Sequence, residues 1–147
     1  MIIQHKQPEK HYIIIIGCGR LGAGLANAAA TKDQDVLILD SAEEAFRKLD
    51  SSYGGLTMTG DATDPDVLRE AQMDQADAVI VVTNNDSVNI TAAQMAKKLF
   101  GAAHVIARLY DPDCACVYEE FGIETICPAQ LSEAQISQML QKGGSVA

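Results

Sequence analysis

The chain has 147 residues, 48% of them apolar and 21% charged, which suits one folded domain with a full core and excludes a disordered polymer. Its 20 acidic and 11 basic residues leave a net charge of −9, which argues against a non-specific binder of nucleic acid or anionic lipid, since both rely on positive surface. An anionic nucleotide stays open, because a pocket can hold one with helix N-terminal amides and one or two local arginines.

Residues 1–10 are polar and read as a flexible leader without a signal-peptide apolar stretch. No run approaches the roughly 20 apolar residues of a membrane span. A cytoplasmic chain is expected, with any membrane link made through a partner. Residues 11–16 form the first predicted strand, ending in four consecutive isoleucines, Ile13 to Ile16. The turn Gly17-Cys18-Gly19-Arg20-Leu21-Gly22 follows directly, and a helix is predicted over 21–31. A second apolar strand, 36–40, closes on Asp40, 18 residues after Gly22. Glycines between a strand and a helix, with a carboxylate at that distance, are the pattern of a dinucleotide- or nucleotide-binding site. They permit a tight turn and a close approach of pyrophosphate to backbone, at the positive end of the helix.

The remaining elements alternate in the same way. Helices are expected at 42–50, 65–71, 87–100, 112–121 and from Pro128 to about 142, and strands at 55–58, 78–83, 104–108 and 124–127. Asp64-Pro65 and Asp111-Pro112 are helix starts, a cap followed by proline in the first turn. Gly101 and Gly122 each follow a helix, where a left-handed residue is wanted. A strand such as Ala78-Val79-Ile80-Val81-Val82 is apolar on both faces, as in a parallel sheet covered by helices. The fold class is therefore α/β: a Rossmann-type, doubly wound, six-stranded parallel sheet of order 3-2-1-4-5-6, with helices on both faces. A single domain over 11–142 and a flexible tail over 143–147 complete the expected organisation.

Candidate polar residues all fall at the C-terminal ends of strands, the edge on which this architecture binds ligands. Asp40 can accept hydrogen bonds from both adenosine ribose hydroxyls while repelling a 2′-phosphate; the plainer reading makes it a helix cap with Ser41. The preferred ligands are NAD(H) or ATP/ADP, and not NADP. Arg20 can reach a phosphate oxygen or pair with a carboxylate across an interface. Asp61 and Thr63 can serve adenine or ribose, or form a local turn. Thr83 and Asn84 are expected beside the glycine loop, Asp86 and Ser87 as caps of the next helix, and Arg108 as a charge ending a buried strand. Cys18 is expected to face the cleft. The other cysteines, Cys114, Cys116 and Cys127, are read as reduced, because Cys114-Ala-Cys116 lacks metal or redox spacing and no histidine lies near it. His5, His11 and His104 fall in the leader or at strand starts, opposite the crevice. No catalytic set assembles, so no enzyme and no metal site is expected.

The motifs Gly-Cys-Gly-Arg-Leu-Gly, Leu39-Asp40, Gly60-Asp61-Ala62-Thr63, Thr83-Asn84-Asn85-Asp86 with Asn89, and Ala107-Arg108 occur in that order. Together they resemble the N-terminal nucleotide-binding domain of the RCK (regulator of potassium conductance) family, also called TrkA-N or KTN, over most of the chain. The resemblance implies a cytoplasmic regulatory subunit of a potassium transporter or channel, binding NAD(H), ATP or ADP. It places ligand contacts at Gly17, Cys18, Gly19, Arg20 and Leu21, at Asp40, at Asp61, Ala62 and Thr63, and at Thr83, Asn84 and Arg108. It implies an Arg20 that reaches phosphates across a dimer, and a final helix, 131–140, that crosses to a partner subunit. A homodimer is expected, with larger rings open. Where some members carry Pro-Glu and a cation, this chain has Pro128-Ala129. Many members continue into a C-terminal ligand-binding subdomain without counterpart here, so the chain is expected to be a truncated or a one-domain member. The alternatives are an NAD-dependent oxidoreductase fragment, or the detached cytoplasmic domain of a cation/proton antiporter or channel.

Overall fold

A computed structural model describes residues 10–31 and 33–143. Residues 1–9 of the expected leader, and the tail beyond Gly143, lie outside the described residues. The strands are β1 (His11–Ile16), β2 (Gln34–Asp40), β3 (Leu56–Thr59), β4 (Ala78–Val81), β5 (His104–Arg108) and β6 (Glu124–Ile126). The helices are α1 (Arg20–Ala29), α2 (Pro65–Glu70), α3 (Asp86–Gln94), α4 (Ala115–Glu120) and α5 (Pro128–Lys142). All strand pairs are parallel, and the sheet order is β3-β2-β1-β4-β5-β6, as the sequence predicts.

Strands buried on both faces carry the core. Ile14, Ile15 and Ile16 of β1, Ile38 and Leu39 of β2, and Val79 and Val81 of β4 are essentially inaccessible. Alternate residues feed opposite layers: Ile14, Ile16, Leu37 and Leu39 pack with α2 and α3, whereas Ile15, Val36 and Ile38 pack with α1. Burying each such side chain contributes about 1.5–3 kcal/mol. The caps form as expected. Asp64 Oδ1 accepts from Asp66 N at 2.9 Å, Asp111 Oδ1 accepts from Asp113 N at 3.0 Å, and Gly101 and Gly122 have φ of +68° and +77°.

Four expected elements differ, one of them the 112–121 helix, which begins as a 3-10 turn over Pro112–Cys114 before α4. The 42–50 helix is a tighter 3-10 segment, Glu43–Lys48, closed by bonds from Ala45 N to Ala42 O and from Leu49 N to Phe46 O. Its inward residues, Ala45 and Phe46, and Leu49 just after it are only partly buried against the α1 layer. The 87–100 helix instead runs as α3 and then a π turn, Met95–Leu99, with Phe100 N donating to Met95 O. Strand β4 stops at Val81, before Thr83, because the Thr83 N–H leaves the ladder for the side chain of Asn89.

Helix α5 is exposed from Ala129 onward, including Leu131, Ile136, Met139 and Leu140, each more than half accessible.

Candidate functional site

The C-terminal ends of β1 and β4 lie side by side, so the turns after them open a crevice where the chain reverses direction across the sheet. A cavity of about 350 Å³ occupies it, lined by Gly17, Cys18, Gly19, Asp40, Asp61, Ala62, Thr83, Asn84 and Arg108, among others. Arg20, Leu21, Gly22 and Thr63 do not line it. A wider hollow of about 880 Å³ at the opposite edge of the sheet, near Tyr12 and Gly54, has no glycine-rich turn between a strand and a helix.

The β1 side is made largely of backbone. Gly17 has φ +105°, and a Cβ on it would sit 2.8 Å from Thr83 N, so glycine there lets the two strand ends touch. A Cβ on Gly22 would lie 1.7 Å from Gly17 O; Gly22 therefore seats α1 against the loop and does not contact the cavity. Gly19 differs from both, since a Cβ there would meet no protein atom within 4 Å. It is the N-cap of α1 with no side-chain cap, and the first turn of that helix has no acidic residue, which leaves its amides facing the crevice end.

Asp40 holds the loop in shape. Its Oδ2 accepts from Cys18 N at 2.8 Å and its Oδ1 from Ala42 N at 2.9 Å. The cap-like reading of Asp40 and its place in the cavity thus hold together. Cys18 departs from expectation: its thiol is fully buried and donates to Ala45 O at 3.3 Å. Burial, then the nearby Asp40 charge, push that thiol's pKa up. Asp61 Oδ1 accepts from Thr63 N at 2.8 Å and from Thr63 Oγ1 at 2.7 Å. The Thr63 hydroxyl and then its N–H hold the Asp61 carboxyl below its ordinary pKa. Thr63 therefore orients Asp61 and stays off the cavity wall. Arg20 opens α1 with an exposed side chain that makes no ion pair among the described residues. Leu21 packs against the α1 core layer.

The β4 side is made of side chains around Asn89, the one polar residue buried to zero exposure among the described residues. Its Oδ1 accepts from Thr83 N at 3.0 Å and from Thr83 Oγ1; its Nδ2 donates to Thr83 O at 3.0 Å and to Arg108 O at 2.9 Å. Arg108 adds Nε (3.1 Å) and Nη2, both donating to Thr83 O, and its guanidinium lies 5.5 Å from the Tyr110 ring centre. The Thr83 carbonyl is saturated, and Arg108 is held in the cavity wall as a fixed cation.

Sequence reasoning missed two contributors to the cavity and misassigned one cap. Asn89 gave a motif match but no contact role, because an asparagine inside a helix reads as solvent-facing. Lys48 lines the cavity from the 3-10 segment, and no signal in its polar surroundings marks it. Asp86 is no helix cap: Asn85 Oδ1 caps α3 by accepting from Val88 N at 3.1 Å, whereas the Asp86 carboxylate accepts from Tyr110 N at 3.0 Å and from Asp111 N at 3.4 Å.

Expected histidine positions hold for His11 and His104, which begin β1 and β5 beside Asp77 and Glu124; His5 lies outside the described residues. No group of metal-ligating side chains gathers among the described residues. No described helix is long and apolar enough to cross a membrane.

Comparison with known proteins fits this geometry. The model of the TrkA-N domain matches residues 13–128. The Trk system potassium uptake protein TrkA of Streptomyces coelicolor is 40% identical over 134 residues, covering 91% of this chain and 60% of that protein. The GsuK channel bound to NAD superposes with a TM-score of 0.76 at 26% identity, over 92% of this chain and 24% of that one. GsuK bound to ADP gives 0.77 at 25% identity, over 94% and 36%. The chain thus spans less than two thirds of each of these proteins. It belongs to the TrkA-N domain family.

Proposed function

We propose that this TrkA-N domain is a non-enzymatic nucleotide sensor that regulates a membrane potassium transporter or channel. Its ligand is NAD(H) or ATP/ADP, bound in the crevice between β1 and β4. The convergence of a glycine loop, a loop-bound carboxylate and a clamped arginine on one cavity carries the reading. Phosphates lie against Gly17, Cys18, Gly19 and the first turn of α1, with Arg108 as the cation on the far wall. Asp40 and Asp61, with Ala62 between the walls, take the adenosine ribose and base. Thr83 and Asn84 close the phosphate side. Arg20, outside the cavity and exposed, meets phosphate from the mouth or from a partner subunit; Leu21, Gly22 and Thr63 support the contact residues.

Support for the ligand class comes from GsuK, whose solved structures include one bound to NAD and one bound to ADP. Support for potassium transport comes from the name of the Streptomyces relative. The apolar face of α5 is the surface we assign to a second copy of the chain, giving a homodimer or a larger ring, held at the cytoplasmic side of the membrane by the transport protein. A ligand switches such an assembly only through its different affinity for two arrangements.

Calorimetry with NAD, NADH, ADP, ATP and NADP tests the proposal. Adenine nucleotides without a 2′-phosphate should bind, with NADP at least about tenfold weaker because a second negative charge meets Asp40. Asp40→Ala should weaken NAD binding by roughly tenfold. Equal NAD and NADP affinities would overturn the role of Asp40, and silence from every nucleotide would overturn the sensor.

A further inference from the structure

Asp86 has a place in the molecule that nucleotide binding alone does not require. It is the first residue of α3, three residues after Thr83, yet it does not line the cavity and does not cap its own helix. Its carboxylate reaches instead to the segment after β5, where both oxygens accept from Tyr110 N at 3.0 Å and Oδ2 also accepts from Asp111 N at 3.4 Å. That segment precedes α4 in the chain and lies beside the end of β6, next to the residue from which α5 starts. Leu109 N donates to Ile126 O at 2.9 Å, and Cys127, the residue preceding α5, places its thiol 3.8 Å from Tyr110 O. Tyr110 also carries the ring beside which Arg108 lies.

Two contacts therefore converge on Tyr110. One runs from the cavity wall through Arg108, and the other from the turn after β4 through Asp86. Beyond Tyr110 stands α5, with its uncovered apolar residues. A carboxylate that accepts backbone N–H groups is among the stronger hydrogen-bonding arrangements, so displacement of the 83–86 turn is passed to the 109–111 segment.

We propose that Asp86 is a positioning residue that couples the nucleotide cavity to α5. A ligand phosphate that engages Arg108 or the turn at Thr83 shifts the first turn of α3, and Asp86 carries that shift to Tyr110 and the start of α5. The inference rests on the nucleotide-sensor reading of the same cavity and adds its output path.

Hydrogen-exchange mass spectrometry of the full chain, with and without ADP and NAD, provides the test, beside calorimetry on the same samples. In the wild type, bound nucleotide should change exchange in 109–111 and in the first turns of α5 by about fivefold or more. Asp86→Asn, which keeps one acceptor oxygen and loses the charge, should bind nucleotide within about threefold of wild type and lose most of the α5 response. Asp86→Glu, which retains the carboxylate, should recover part of it. Nucleotide binding with an unresponsive α5 in the wild type would overturn the coupling and leave the sensor reading intact. A full α5 response in Asp86→Asn would overturn the role of Asp86. No binding by the wild type in calorimetry would remove the sensor reading and the coupling with it. The wild-type comparison decides whether the coupling exists, and Asp86→Glu, which should respond less than wild type, tests the role of Asp86 where Asp86→Asn fails to fold.

Discussion

On the β1 side of the crevice, the shape depends on side chains that are missing. Gly17 and Gly22 bring α1, the loop and β4 closer than any Cβ permits, and Asp40 ties the loop down through backbone N–H groups. On the β4 side, the shape depends on one side chain that is present. Asn89 fills all its hydrogen-bonding capacity against Thr83 and Arg108 and so fixes two strand ends at once. The first wall is a steric construction and the second a polar one. They should fail differently: the steric wall through clash, the polar wall through unpaired buried groups.

Gly22→Ala should be the most damaging substitution. Its Cβ meets the carbonyl oxygen of Gly17, a backbone atom that cannot move without opening the loop. We expect a loss of about 4 kcal/mol or more in chemical denaturation, with nucleotide binding abolished. A variant of wild-type stability would remove the steric account of that wall. Asn89→Ala comes next. Stranding the Thr83 N–H and removing a donor from the Arg108 carbonyl, while Arg108 still donates to Thr83 O, should cost on the order of 3 kcal/mol, read as a lower denaturation midpoint with an unchanged slope.

Gly19→Ala sharpens the contrast within the β1 wall. No protein atom lies near its Cβ, so only the poorer capping of alanine relative to glycine should act, lowering stability by about 1 kcal/mol. Nucleotide affinity should nevertheless fall by roughly tenfold, because the methyl group occupies the approach of the phosphates. Unchanged affinity would mean that the phosphates do not approach the loop.

The smallest effect concerns pH. Thr63 holds the Asp61 carboxyl below its ordinary pKa, so the contribution of Asp61 is present above the unfolded-state pKa and is lost as pH falls through the folded value. Thr63→Val should raise the Asp61 pKa toward its ordinary value in an NMR titration, with little change in stability near neutrality. Asp61 titrating alike in both proteins would show that the Thr63 hydroxyl does not bind it.

The two walls also differ in how openly they are written in the sequence. Glycine spacing after an isoleucine run, and Asp40 at the end of the next apolar strand, are local patterns, so the β1 wall, the strand order and the crevice could be read directly. The polar wall arises from distant pairs. Asn89 meets Arg108 across 19 residues and Asp86 meets Tyr110 across 24, and neither pairing leaves a mark in the composition of its own helix. For the same reason the predicted β4 ran through Thr83: the apolar run gives no sign that Asn89 will take its N–H. The local pattern overreached on the β1 side: the Cys18 side chain and Leu21 turn into the α1 layer, Gly22 packs against Gly17, and Arg20 stands outside the cavity.

The central claim, that adenine nucleotide binds between these two walls, is tested most directly by amide NMR during titration with ADP and with NAD. The account predicts saturable shifts concentrated at Gly17, Cys18 and Gly19 on one wall and at Thr83, Asn84 and Arg108 on the other. Shifts confined to the hollow around Tyr12 and Gly54, or no saturable shift at all, would contradict it.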